Sequence, residues 1–400
     1  MGDDQGRKRF IHKYKGMDMI DEDLKSELEL FRDNVKRFIE AEILPHYDDW
    51  EKADIFPRDI WNKMGEQGLL SVDTPEEYGG FGTNFLFSMV IIEEFTRANC
   101  SGLGVSLSVH SDIVAPYILN QGTEEQKQKY LPKMVTGECV GAIAMTEPAA
   151  GSDLQGIRTI ARKDGDDYIL NGSKIFITNG QHADVVIVVA RTNLDVSGSK
   201  GTSLFLVDAD TPGFKRGQNL DKIGLHSSDT SELFFQDLRV PASALLGKLD
   251  TGFHIMMNEL PRERLTLAVG AVAAAEGVMA MTADYVKERQ AFGRPVATLQ
   301  NTRFKMAEMA TDVRVHRAFI DECCTLFLQG KLDNTTVSMA KLGSTEMQGR
   351  VVDGCLQLHG GYGYMREYGV SRAFVDARVQ RIYGGTSEIM KELISREVLA

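Results

Sequence analysis

Two carboxylates four residues apart, Glu259 and Glu263, stand in the stretch Asn258 to Gly270 (N-E-L-P-R-E-R-L-T-L-A-V-G). Arg262 and Arg264 flank Glu263, and a run of Leu, Ala and Val follows. On a helix, residues four apart share a face. A carboxylate that continues into an apolar face must be paired, or its pKa rises and it can act as a base. Two readings follow. Either the arginines pair with the glutamates as a solvated helix start, or one carboxylate enters an apolar slot and takes protons.

Four other stretches carry small or polar residues in patterns that could cradle a ligand. Thr146-Glu147-Pro148-Ala149-Ala150-Gly151-Ser152-Asp153 follows a strand-like run, and reads as a tight turn or as a loop whose amides and hydroxyls approach an acceptor. Arg289-Gln290-Ala291-Phe292-Gly293 closes a helical segment, where a guanidinium either complements the helix dipole or clamps a phosphate. Gln357 to Tyr364 (Q-L-H-G-G-Y-G-Y) reads as a glycine bend after a helix. Tyr383-Gly384-Gly385-Thr386-Ser387-Glu388 leads into a helix with Ser387 as candidate N-cap, and free amides there would suit an oxyanion. No G-x-G-x-x-G after a strand, no P-loop and no Ser–His–Asp order is legible. The eight His show no ligand spacing, so no metal site is expected.

The elements that must position these groups are legible from periodicity. Helical patterns cover about 21–44, 57–68, 85–98 and 103–120, and a capping box of Thr123 with Gln126 opens another that runs to about 134. From 140 to 240 the chain changes to short β-branched and aromatic runs, with turn signals at Asp164 to Asp167 and at Asn171-Gly172. Helices return at about 252–292, 300–329, 335–358, 371–378 and 387–399. The fold class is α+β, multi-domain: an arm at 1–18, a helical domain at 19–136, an antiparallel β domain at 137–247 and a C-terminal helical bundle at 248–400.

At 400 residues, 43% hydrophobic and 26% charged, the composition is that of a globular protein. A net charge of −12 argues against nucleic acid and anionic membrane surfaces. No apolar run is expected to reach the roughly 20 residues that span a bilayer. Five cysteines without C-x-x-C spacing imply reduced thiols. The N-terminus has no secretory apolar core. A bacterial cytoplasmic protein, or a mature protein of the mitochondrial matrix, is expected.

Together and in this order, the stretches resemble the flavin-dependent acyl-CoA dehydrogenases from about residue 20 to the C-terminus. Ala144-Met145-Thr146-Glu147-Pro148, with Gly151-Ser152-Asp153-Leu154, resembles that family's first signature. The Arg289, Gln357 and Tyr383 stretches resemble later ones. The chain is most similar to the long-chain branch, through Asn171-Gly172-Ser173-Lys174, Pro241 to Gly247 and Tyr383 to Thr386.

The resemblance implies FAD as cofactor and a homotetramer built as a dimer of dimers. By position, Ile143, Met145, Thr146, Gly151 and Ser152 line the flavin and its pyrophosphate, and Phe176, Ile177 and Thr178 flank the ring on its other side. Arg289, Phe292, Gln300, Gln357, Leu358, His359, Gly360 and Gly361 hold pyrophosphate and adenosine, reaching across from a neighbouring subunit. Thr386, Ser387 and Glu388 complete the site. The implied reaction is α,β-dehydrogenation of an acyl-CoA: a glutamate removes the α-proton while the β-hydrogen leaves as hydride to the flavin. Many members carry that glutamate between Tyr and Gly of a Y-E-G-T motif, and here that position is Gly384. The long-chain and isovaleryl branches carry it on the helix that opens the C-terminal domain, which is Glu263 here. The Gly384 amide would then bind the thioester oxygen, with Ser152, His254, Arg264 and Gly385 near substrate. The implied electron acceptor is electron-transferring flavoprotein. The substrate expected is a medium-to-long acyl-CoA. A branched-chain or isoprenoid acyl-CoA is the alternative, and a flavin-binding or oxidase relative a lesser one.

Overall fold

The structure, a computed structural model, describes residues 21–400. The arm expected at 1–18 lies outside the described residues. Helices α1 (Glu22–Phe38), α2 (Tyr47–Ala53), α3 (Asp59–Glu66), α4 (Phe85–Arg97), α5 (Ser101–Ser108), α6 (Ala115–Gln121) and α7 (Glu124–Thr136) come first. Strands β1 (Gly141–Ala144), β2 (Ile160–Asp164), β3 (Asp167–Thr178), β4 (Val185–Arg191), β5 (Thr202–Asp208), β6 (Phe214–Asn219), β7 (Thr230–Pro241) and β8 (Leu245–Leu246) follow. Then come α8 (Gly252–Glu288), a hairpin of β9 (Gln290–Ala291) and β10 (Arg294–Pro295), α9 (Gln300–Leu328), α10 (Asn334–His359), α11 (Gly369–Val379) and α12 (Ser387–Val398). This is the expected succession of helices, sheet and helices. Its caps are chemical: the Asp21 carboxylate accepts from the Leu24 amide, and Thr123 and Gln126 satisfy each other's backbone amides at the start of α7.

The chain folds as two compact units. One, the β unit, comprises Ala41–Ser88 and Gly102–Glu263. Its sheet runs β6-β7-β3-β2-β4-β5-β8, and β1 lies beside β4. Most pairings are antiparallel, but β1 and β2 both run parallel to β4. Nearly every residue of β4 and β5 is buried, because both sheet faces are covered: Val185, Ile187 and Val189 meet α6, α7 and the start of α8, and Val186 and Val188 pack within the other cluster. Gly165-Asp166 makes the expected two-residue turn between β2 and β3. Asn171-Gly172 does not turn the chain. β3 continues through it with a shift of register, and a Cβ on Gly172 would lie 2.4 Å from Thr159 Oγ1. A turn-type dipeptide inside a strand marks a bulge and a close approach instead.

The other, the helical unit, comprises the described residues through Glu40, Met89–Ser101 and Arg264–Ala400. One ionic network in its interior joins three arginines and three glutamates. Arg32 bridges Glu93 (2.7 Å) and Glu94, Arg97 joins Glu94 and Glu276, and Arg317 joins Glu93 (2.6 Å) and Glu276 (2.9 Å). Burial opposes the charge on Glu93, yet the Arg317, Arg32 and Arg97 guanidinium groups outweigh it and hold the carboxyl far below the usual range.

Two segments correct the expectation about apolar runs. Ser101–Gln121, with 21 residues, and Gly252–Glu288, with 37, are long and apolar enough to cross a bilayer. In each, 72% of the apolar window is buried within the fold, as in core helices.

Candidate active site

Helix α8 places Glu259 and Glu263 on one face, and both are buried, Glu263 with 7% of its surface exposed. The solvated-start reading is therefore wrong for this stretch. Arg262 turns to Asp73 (2.6 Å) and Asp112 (3.3 Å), with its guanidinium over the Phe85 ring. Asp112 sits in a π-helical segment, Val109–Val114, that leads into α6. The next turn of α6 faces the two glutamates. The Tyr117 hydroxyl donates to Glu263 Oε1 at 3.1 Å, and the Asn120 amide donates to Glu259 at 3.1 and 3.3 Å. Burial pushes the Glu259 carboxyl up, against the Asn120 amide and the Arg262 charge. Tyr117 has no exposed surface, and burial plus the Glu263 charge raise its phenol well above the usual value, so its proton stays on oxygen. His254 is exposed and bonded to Asn258, nine residues before Glu263 and so about half a turn around the helix from it.

In the same unit, the loop after β1 is held by a residue the sequence reading passed over. Glu147 is buried and accepts from Lys174 Nζ (2.8 Å) and from the Arg158 and Thr159 amides (2.7 and 2.9 Å). Lys174 also donates to the Met145 carbonyl at 3.0 Å. Glu147 and Ala150 exchange backbone hydrogen bonds across Pro148-Ala149. The loop thus ends in an exposed Gly151-Ser152, and a Cβ at Gly151 would touch nothing within 4 Å. The Ile175 amide donates to the Thr146 carbonyl at 3.0 Å, which sets the loop beside the second irregularity of β3. There Phe176 takes a left-handed φ of 61° and is 63% exposed, while Ile177 is buried and Thr178 half-buried. A strained, exposed phenylalanine inside a strand is a feature of a binding surface rather than of a core. Ile143 and Met145 are half-buried against the β-unit core.

In the helical unit, Arg289, Gln357, Leu358, His359, Gly360 and Gly361 line one cavity of about 530 Å³. α10 ends at His359, and Gly360 takes φ 59° as its amide donates to the Gln357 carbonyl. The glycine bend is therefore both a helix stop and the wall of the cavity. His359 stacks on Tyr285 at 4.1 Å, and its Nδ1–H donates to the Cys355 carbonyl at 2.9 Å. Burial lowers its pKa. Arg289 lies over the Tyr362 ring, 5.3 Å from its centre. Phe292 and Gln300 fall outside this lining. Phe292 tips the β9–β10 hairpin with φ 54° and 90% exposure, and Gln300 is exposed at the first turn of α9.

The loop before α12 needs its glycines: Gly384 has φ 63° and Gly385 φ 94°. Lys341, buried in α10, donates to the Gly385 carbonyl at 2.7 Å. Burial, with the Arg264 charge nearby, lowers the Lys341 pKa to about 8. Arg264 is buried, and its Nη2 lies 3.9 Å from where a Gly385 Cβ would stand. The N-cap of α12 is Thr386, not Ser387. Its hydroxyl accepts from the Ile389 amide, while Ser387 donates to Glu346 at 2.8 Å. Glu388 is exposed in the first turn.

The succession of helical domain, β sheet and helical domain, with these glycine loops, defines the class of protein to which the chain belongs. Models of three domains match nearly the whole chain: the acyl-CoA dehydrogenase N-terminal domain over 25–138, the middle domain over 142–238 and the C-terminal domain over 250–399. The chain belongs to the acyl-CoA dehydrogenase family and is an FAD-dependent oxidoreductase acting on acyl-CoA. It is 53% identical to a mitochondrial long-chain specific acyl-CoA dehydrogenase of Sus scrofa, over 94% of this chain and 87% of that one. A crystal structure of an acyl-CoA dehydrogenase from Geobacillus kaustophilus superposes with a TM-score of 0.92 at 50% identity, covering 96% of this chain and 99% of that one. A glutaryl-CoA dehydrogenase from Mycobacterium smegmatis in complex with FADH2 superposes at 0.88 with 30% identity, covering 96% and 98%. The residues fit such a cofactor. In the β unit, the open space at Gly151 and the exposed ring of Phe176 leave room for a planar group; in the helical unit, Arg289 gives the cavity it lines a cation for a pyrophosphate.

Proposed function

We propose that the protein converts medium-to-long-chain acyl-CoA to the trans-2-enoyl-CoA, with Glu263 as the base. The observation that carries this reading is the burial of Glu263 on an ordered helix face, with Tyr117 donating to one carboxylate oxygen. A carboxylate in so dry a place is poorly solvated and gains by accepting a proton. Gly384, in place of an acid in the Tyr383–Thr386 loop, leaves Glu263 as the carboxylate that matches the family's base. FAD, when bound, supplies the acceptor for the β-hydride.

The chain's own residues do the rest. Glu263 takes the α-proton onto a carboxylate oxygen. The Gly384 amide, with Gly385 and Arg264 around it, stabilises the charge that develops on the thioester oxygen. Lys341 holds that loop through the Gly385 carbonyl. Ile143, Met145, Thr146, Gly151, Ser152, Phe176, Ile177 and Thr178 hold the flavin end. Ser152 serves the pantetheine or acyl chain, while His254, on the opposite side of α8 from Glu263, does not reach the reacting carbons.

In the assembled homotetramer, a dimer of dimers, Arg289, Phe292, Gln300 and the 357–361 bend would serve a neighbour's cofactor. Supporting this, Phe292 keeps a strained backbone to stand 90% exposed. Thr386, Ser387 and Glu388 complete the site. Electron-transferring flavoprotein takes the electrons onward. Five buried, unbridged cysteines fit a reducing compartment, bacterial cytoplasm or mitochondrial matrix.

The test is anaerobic bleaching of the flavin absorbance by straight-chain acyl-CoAs of increasing length and by isovaleryl-CoA. Fast bleaching by medium and long straight chains is expected. Preferential bleaching by the branched substrate would overturn the chain-length reading.

A further inference from the structure

Apart from the base itself, the face of α8 holds an ordered contact that the reaction does not require on its own terms. Tyr117 is fully buried in α6, and its phenol could have been a leucine for packing alone. A buried hydroxyl that meets no acceptor costs roughly 1–3 kcal/mol, so its partner matters. That partner is Glu263 Oε1, at 3.1 Å. One turn along, Asn120 makes the matching contact to Glu259. Arg262, between the two glutamates, is committed to Asp73 and Asp112, which pins α8 to the π-helical segment preceding α6.

We infer that Tyr117 is a positioning residue for the base: its hydroxyl fixes the rotamer of Glu263 and stabilises the ionised carboxylate before substrate arrives. This rests on the reading of Glu263 as base. The donor acts on the charged form, so removing it favours the protonated acid.

The other charge that Tyr117 faces is Glu259, on the same helix as Glu263; Arg262, between the two glutamates, faces Asp112 from the π-helical segment and Asp73 from the loop before α4. Arg264 follows Glu263 in α8. None of these is changed by Tyr117→Phe, which removes one oxygen and keeps the ring. A neutral hydrogen bond to a charged group contributes roughly 1.5–3 kcal/mol, or about one to two units of carboxylate pKa.

The sign is fixed. With the donor gone the base protonates at higher pH, so activity on the acid side is lost first.

The experiment compares wild type, Tyr117→Phe and Glu263→Gln as flavin-loaded enzymes. It measures the pH profile of kcat/KM, the flavin spectrum, thermal stability, and enoyl-CoA binding followed by the flavin absorbance shift. For Tyr117→Phe the acid limb should move up by at least one pH unit. Below the wild-type acid limb this means a loss of kcat/KM of about tenfold or more, while on the alkaline plateau activity stays within threefold of wild type and enoyl-CoA binding is unchanged. An acid limb that stays in place while Glu263→Gln is inactive overturns the inference and leaves the base intact. Near-normal turnover of Glu263→Gln overturns the base and the inference with it. A uniform loss at all pH values, with reduced thermal stability, assigns Tyr117 to packing and also overturns it.

Discussion

Moving the base tests the two positions that the reading joins. Glu263→Gln replaces the proposed general base by a neutral group of nearly the same size, and positioned bases contribute about 10²–10⁴ in rate, or roughly 3–5.5 kcal/mol of barrier. Turnover should fall within that range while the flavin spectrum and enoyl-CoA binding remain. Gly384→Glu then offers a carboxylate at the position of the family's other branch. The structure sets what this costs. Gly384 has φ 63°, so any side chain adds about 1–2 kcal/mol of backbone strain. A Cβ there would lie 2.4 Å from Leu267 Cδ1, a contact with the tip of a side chain rather than with backbone. Leu267 stands one turn after Glu263 on α8 and is half-buried. A rotamer change would relieve the contact at roughly 0.5–1.5 kcal/mol, and truncation would remove it. Glu263→Gln with Gly384→Glu should therefore regain only part of the loss, about tenfold. Adding Leu267→Ala should raise the recovery further. Stopped-flow flavin reduction under anaerobic conditions measures the chemical step directly. Near-normal reduction by Glu263→Gln would sink the base assignment, and no recovery in the triple variant would sink the account of the loop.

The ionic network of the helical unit should be brittle. Arg317→Met removes the guanidinium nearest to Glu93 and leaves Arg97 alone between Glu93 and Glu276 in the interior, which should cost about 3–5 kcal/mol, read as a fall in the thermal midpoint. Stability should also decline as pH falls from about 6.5 towards 4. Burial lowers the pKa of His110, and that of His182, to about 4, so in this window the unfolded chain protonates two histidines that the folded one keeps neutral, an effect that buried Asp229, raised to about 6, offsets only in part. Urea midpoints measured at half-unit steps would show the decline, and a flat profile between pH 6.5 and 4.5 would contradict it. Phe292→Gly relieves a left-handed φ at the hairpin tip, so the subunit should hold its thermal stability after flavin removal while the holoenzyme loses flavin more readily on dilution.

Helix positions in the C-terminal half were legible because long periodic runs with few breakers leave little choice. The reading of 300–329 against Gln300–Leu328, and of 335–358 against Asn334–His359, differs by a residue or so at each end. The capping box at Thr123 was legible for the same local reason. What failed was whatever depends on distant partners. Asn171-Gly172 has turn chemistry, but Thr159 sits too close for a side chain there, and β7 keeps pairing past it. The length test for a membrane span passed over two helices whose apolar surface is used up inside the fold. Helix α2 went unseen because its Tyr47 and Trp50 anchor seven residues too few to show a period.

The candidate site divides along the same line. Loop motifs announce themselves, since a ligand contacts backbone there and glycine must be present. The groups that hold those loops do not, because they are single polar residues embedded in apolar runs. Lys174 occupies an inward position of β3, Lys341 a buried position of α10, and Tyr117 an apolar stretch of α6. Each is at least 27 residues from the group it serves: Glu147, the Gly385 carbonyl and Glu263. A signal was nevertheless present. A lysine or tyrosine at a position the pattern requires to be buried has to find an acceptor, since leaving it unpaired costs more than the packing returns. Read this way, such misplaced polar residues indicate that a partner exists even when spacing cannot say which, and in this chain two of the three partners are the loops that carry the family's motifs while the third is Glu263, the proposed base.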